Sequence, residues 1–106
     1  MLEVKVGDMY GCLESIMAIG RQEMGLAEAE KIADFTDIFV KVLSPLDVRR
    51  KEMFEAEYES EGEKMAAFDA FAVEKAELPE FSFKEFGSLR ITPDGLASLK
   101  RAGLYT

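Results

Sequence analysis

Between Leu26 and Tyr58, apolar side chains fall at Ile32, Phe35, Phe39, Val42, Leu46 and Met53, in steps of three, four and seven. Residues three and four apart share a face of an α-helix, so the spacing predicts one helical stripe on which shorter elements pack. Ser44-Pro45 interrupts it, and a proline in a helix interior costs ~3 kcal/mol. The register nevertheless continues across the break. One helix kinked at Pro45 and two nearly coaxial helices, the second capped by Ser44, both satisfy the pattern. Asp37 with Lys41 and Asp47 with Lys51 stand four apart, acidic member first, an order that supports helix.

Elsewhere the period changes. Leu2 to Val6 alternates apolar and charged residues, the rhythm of a half-buried strand. Asp8 is placed to cap a helix from Met9 to Ile19 with Leu13, Ile16, Met17 and Ile19 inside, closed by a left-handed Gly20. Arg21 to Gly25 connects to the long helix. Ser60 to Lys64 reads as a turn centred on Gly62. A third helix is expected over Met65 to Glu77, with Met65, Phe68, Phe71, Ala72 and Ala76 inside. It folds back antiparallel on the long helix and stops at Pro79. Glu80 to Lys84 alternates again and is expected to pair with Leu2 to Val6. Thr92-Pro93-Asp94 starts a last helix, with Leu96 and Leu99 inward, Lys100 and Arg101 at its negative end, and Gly103 closing it. The expected fold is mainly α (α+β). A long central helix, short packed helices and a small two-stranded antiparallel ribbon make one domain over residues 1–106.

Composition narrows the chemistry. The chain has 106 residues, and the 48% that are apolar suffice for one core. Cys12 is the single cysteine, and there is no histidine. A disulfide within the chain and a thiolate-built metal site are therefore excluded, and a cysteine nucleophile has no histidine base. Cys12 sits among apolar helical positions and reads as a small buried hydrophobe. No run approaches the ~20 apolar residues of a membrane span, and the N-terminus lacks a signal-peptide layout. An intracellular address is expected. The net charge of −8 disfavours direct binding to nucleic-acid phosphates or anionic lipid.

The densest charge is Glu52, Glu55, Glu57, Glu59, Glu61 and Glu63. Glu52, Glu55 and Glu59 are expected to fall on one helical face. Such a face is either a solvated surface or a strip, with carboxylates about 5–6 Å apart, that imitates nucleic acid before a basic partner. Arg49-Arg50-Lys51 is expected to pair with Asp47, Glu52 and Glu55. Tyr10, Tyr58 and Tyr105 read as packing residues with wet hydroxyls. Six methionines and eight phenylalanines are many for this length. They serve the core or an adaptable patch for a partner or a second copy. No glycine-rich phosphate loop, nucleophile elbow or dinucleotide fingerprint is present.

Two stretches carry a family likeness. One is the long central helix expected to carry Phe54, Glu57 and Tyr58 before a turn containing Gly62. The other is the ending Glu85-Phe86-Gly87-Ser88-Leu89-Arg90-Ile91-Thr92-Pro93-Asp94-Gly95-Leu96-Ala97-Ser98-Leu99. Together they resemble small helical proteins of tailed-phage and prophage genomes that end in Ile-Thr/Ser-Pro-x-x-Leu-x-x-Leu. The chain departs from that family at Ser44-Pro45-Leu46 and in a shorter Pro79 region. The resemblance implies a phage or prophage origin, the cytoplasm of a bacterial host, and no catalytic residues or cofactor. The expected function is that of a non-enzymatic accessory protein acting by protein–protein interaction. The alternative is an acidic inhibitor that occupies a host nucleic-acid-binding site through Glu52, Glu55 and Glu59.

Overall fold

The computed structural model describes all residues from Met1 to Thr106. The chain runs β1 (Leu2–Lys5), α1 (Val6–Gly20), α2 (Leu26–Glu55), α3 (Glu61–Val73), β2 (Lys75–Leu78), a 3-10 turn (Phe83–Glu85) and α4 (Pro93–Arg101). The mainly helical architecture with a two-stranded antiparallel ribbon is as expected from the sequence. The molecule measures 52 × 25 × 24 Å. The 30-residue α2 sets the long dimension, at 1.5 Å of rise per residue.

Helix α2 is single and unbroken, with Pro45 inside it. The two-helix alternative is thereby excluded, and Ser44 caps nothing. Ile32, Phe35 and Phe39 are buried as the stripe predicts, and Val42, Leu46 and Met53 are half-buried. Leu43, which lay off the stripe, is buried too, because α1 covers the flank of α2 that carries it. The first half of the stripe is thus spent on the core, and the second half is partly covered.

Helix α1 begins earlier than expected. Lys5 is its N-cap and makes no side-chain cap bond, so Asp8 lies inside the first turn, where a carboxylate complements the dipole. Its buried face is Val6, Met9, Cys12, Ile16 and Ile19, while Met17, expected inside, is 41% exposed. Gly20 is not left-handed; the one residue with positive φ is Gly103, at 76°, beside Leu2. Gly7 lets α1 approach α3, since a Cβ there would stand 3.2 Å from both the Cβ and the carbonyl oxygen of Ala72.

The region from Ser60 to Lys84 differs most from expectation. Ser60 accepts a bond from the Glu63 N–H at 3.2 Å and caps α3, so Gly62 is helical rather than the centre of a turn. Helix α3 ends at Val73, not Glu77. The strand expected at Glu80 to Lys84 is instead Lys75–Leu78, paired Leu2↔Leu78, Glu3↔Glu77, Val4↔Ala76 and Lys5↔Lys75. Helix propensity favours Ala70 to Glu77, but non-local pairing overrides it. The Val6 N–H reaches the Glu74 carbonyl at 2.8 Å, Leu78 is fully buried, and Pro79 cannot donate to a longer ladder. Ala76 therefore belongs to the ribbon, and Met65 is 64% exposed rather than inside. Phe68 and Phe71 do face inward. Phe68 meets Phe54 at 4.8 Å and Phe71 lies under Arg49 at 5.1 Å. The order of these contacts sets α3 antiparallel to α2, as expected.

The phenylalanines beyond β2 form a cluster instead of a strand. Phe81 stacks on Phe35 at 4.3 Å and on Phe86 at 5.6 Å, and Phe83 meets Phe35 edge-on at 5.8 Å. The last helix matches its local signals. Thr92 accepts from the Gly95 N–H at 3.1 Å, and Pro93 occupies the first turn. Gly95 is buried because α4 presses on α1; a Cβ there would stand 2.8 Å from Ser15 Oγ.

Candidate functional site

An open apolar groove lies along the seam between α1 and α2. A cleft of about 490 Å³ is lined by Met17, Met24, Ile32, Thr36 and Val40 among others. A second, of about 500 Å³, continues it through Met17 and Val40 to Leu13, Ser44 and Val48. Val40 is 41% and Val48 56% exposed. The Thr36 hydroxyl is buried without a hydrogen-bond partner. Charges flank the apolar floor. Asp37 pairs with Lys41 at 2.9 Å, and Asp47 with Lys51 at 3.6 Å and Arg50 at 3.7 Å. The Tyr10 hydroxyl donates to Asp47 at 3.0 Å. Burial, and then that bond, raise the Tyr10 pKa, keeping the phenol protonated.

The acidic residues singled out from the sequence do not form one helical strip. Glu52 and Glu55 lie on the last turn of α2, but that helix stops at Glu55. Glu59 sits in the following turn, where its N–H donates to Glu63 at 3.3 Å. The stop is local. Tyr58 turns back to donate its hydroxyl to the Met53 carbonyl at 3.0 Å, and Ser60 starts the next helix. All six glutamates from Glu52 to Glu63 are exposed, and none takes part in an ion pair.

The basic triplet divides differently from expectation. Arg50 and Lys51 join Asp47, but Arg49 crosses to α3's end and grips Glu74 with both terminal nitrogens, at 2.9 and 2.7 Å. Neither Glu52 nor Glu55 is engaged. The Arg49 guanidinium holds the Glu74 carboxyl below its ordinary 4.5. A carboxyl depressed in the folded state contributes stability at neutral pH and loses it as pH falls through that range. Glu74→Gln is therefore expected to flatten the stability profile below about pH 5, while the parent falls more steeply. Urea titrations at several pH values read this directly.

Cys12 is fully buried, and burial pushes its thiol up to about 12. Thiol chemistry proceeds through the thiolate. An exposed-thiol reagent at pH 8 is thus expected to leave native Cys12 unmodified and to label it completely in denaturant. Prompt labelling of the folded protein would contradict the burial.

No group of three or more His, Cys, Asp or Glu residues is arranged to hold a metal ion. No helix is long and apolar enough to cross a membrane. Val40 and Val48 have no place in the expectation from sequence, and Met17, expected inside, joins them at the open surface. The signal was available, since Val40 falls about 100° from Phe39 and Val48 about 160° from Leu46, both off the stripe. Comparison with family models, with curated proteins and with solved structures finds no match to this chain.

Proposed function

We propose that this chain is a non-enzymatic accessory protein of phage or prophage type, working in a bacterial cytoplasm by binding another protein through the α1–α2 face. The observation that carries the binding role is the open cleft along that seam, with Met17, Val40 and Val48 each more than a third exposed. Exposed apolar side chains gathered on one groove mark interaction surfaces. The phage attribution is supported by the resemblance of the Glu85–Leu99 ending. The reading needs no cofactor. Affinity purification from a bacterial lysate, run with the parent and with Val40→Glu, tests it. A partner retained by the parent and lost by the variant supports the role, and identical captures count against it.

A second reading has its own support in the exposed, unpaired glutamates around the α2–α3 turn. They offer a basic surface on a partner a dense patch of carboxylates, as an imitator of nucleic acid would. Charge reversal at Glu52, Glu55 and Glu59 should then abolish salt-sensitive capture of a basic protein. Capture that survives the reversal removes this reading.

A further inference from the structure

Three regions expose apolar or unpaired polar surface. The ribbon has free edges, but each strand is only four residues long. The Phe54 patch is already covered in part by Arg50 at 5.2 Å and Lys64 at 5.8 Å. The α1–α2 cleft carries more, because the charges along it are self-complementary.

Three pairs of residues on α2 are arranged symmetrically about Ser44, and two of them are opposite in sign. Asp37 and Lys51 stand seven residues to either side, Lys41 and Asp47 three, and Val40 and Val48 four. All seven lie within one broad face of the helix by the 3.6-residue period. We infer that the cleft is filled by a second copy of this chain, in a two-fold dimer whose α2 helices run antiparallel and cross at Ser44. In that alignment Asp37 comes level with the partner's Lys51, Lys41 with the partner's Asp47, and Val40 with the partner's Val48. Symmetry repeats each relation. A parallel alignment would set Asp37 against Asp37 and Lys41 against Lys41, which like-charge repulsion opposes. The floor beneath these charges is Met17, Leu13 and the two valines, so each copy brings its α1–α2 hairpin to a four-helix layer.

The shape of the chain agrees. Its accessible surface is 7053 Å², against about 5,900 Å² for a globular monomer of this mass. Its radius of gyration is 15.4 Å, against about 13 Å for a compact domain this long. The excess of about 1,100 Å² is of the order of the ~800 Å² that each partner buries in a standard interface.

This inference rests on the interaction reading above, naming a second copy of the chain as the protein that occupies the face, and it can fail while that reading stands. Light scattering coupled to gel filtration should give twice the 11.9 kDa of the chain. Val40→Glu should give the monomer mass with unchanged helical circular dichroism. Lys51→Asp should weaken the dimer about tenfold, and adding Asp37→Lys should recover it, although the double change worsens the charge pairs within each α2. Orientation is read by cysteine cross-linking. Val40→Cys mixed with Val48→Cys should form a disulfide-linked pair. Val40→Cys alone should not, because antiparallel copies hold those positions about 12 Å apart along the axis. A monomer at all concentrations, a failed charge rescue, or ready linkage of Val40→Cys to itself would overturn the antiparallel dimer. A monomer whose Val40→Glu variant still loses a captured protein would leave the interaction reading standing.

Discussion

Phe39→Ala is expected to lower the unfolding free energy by about 3–5 kcal/mol, the cost of removing a fully buried aromatic ring. Phe39 is completely excluded from solvent and belongs to the main buried cluster of 15 residues, which draws on α1, α2, β2, α4 and the C-terminal segment. It stands next to Phe35, at 6.2 Å between ring centres, and Phe35 in turn carries Phe81 and Phe83. Rigid helices on several sides cannot collapse into the space left behind, so the cavity cost adds to the lost transfer energy. A domain of this size has roughly 5–15 kcal/mol in hand, so the variant should sit near the edge of folding. Urea unfolding at fixed protein concentration should show the midpoint falling with little change in slope. Phe54→Ala, on the same helix but 53% exposed, provides the contrast and should cost less than half as much. Equal losses at the two positions would contradict the difference in burial that separates them.

Pro45→Ala should act in the opposite direction, raising stability by about 1–2 kcal/mol. Pro45 lies inside an unbroken helix and is exposed. It lacks the N–H that would bond the Lys41 carbonyl, and its ring crowds the preceding turn, a cost of about 3 kcal/mol. Against this, proline restricts the unfolded chain, which returns up to about 1 kcal/mol. Alanine restores the missing bond, favours helix and removes no core contact. Thermal unfolding should move up by several degrees. A lower melting temperature would mean that the packing of α3 and α1 depends on a bend made at this proline.

The features legible in the sequence were those whose cause is local. The period of Ile32, Phe35 and Phe39 fixed a buried face. The Asp37–Lys41 and Asp47–Lys51 pairs formed as their spacing requires. Thr92 and Pro93 started α4 at the expected residue. The start of α3 is also written locally, since Ser60 followed three residues later by Glu63 is a capping signature, although Gly62 between them equally suits a turn. The acidic residues do not share one helical face, for a related reason. Nothing in the apolar stripe marks its end, and the Tyr58 hydroxyl bond that accompanies the stop at Glu55 is made by a residue beyond the helix.

What only the tertiary structure decided was every feature whose partner is distant in the chain. Lys75–Leu78 became the second strand because Leu2–Lys5 offered a ladder and the core offered a seat for Leu78, while the phenylalanines beyond it had Phe35 to stack upon. Arg49 left its helical neighbours for Glu74 because α3 brought that carboxylate within reach. Exposure of Met17, which the helical period of α1 had placed inside, followed from where α1 lay down on α2. By itself the sequence determined helix content, the buried side of α2 and the capped last helix, through hydrophobic period and chain-local hydrogen bonding. Strand choice, helix ends and the open cleft depend on which surfaces meet, and that is settled by packing between segments dozens of residues apart.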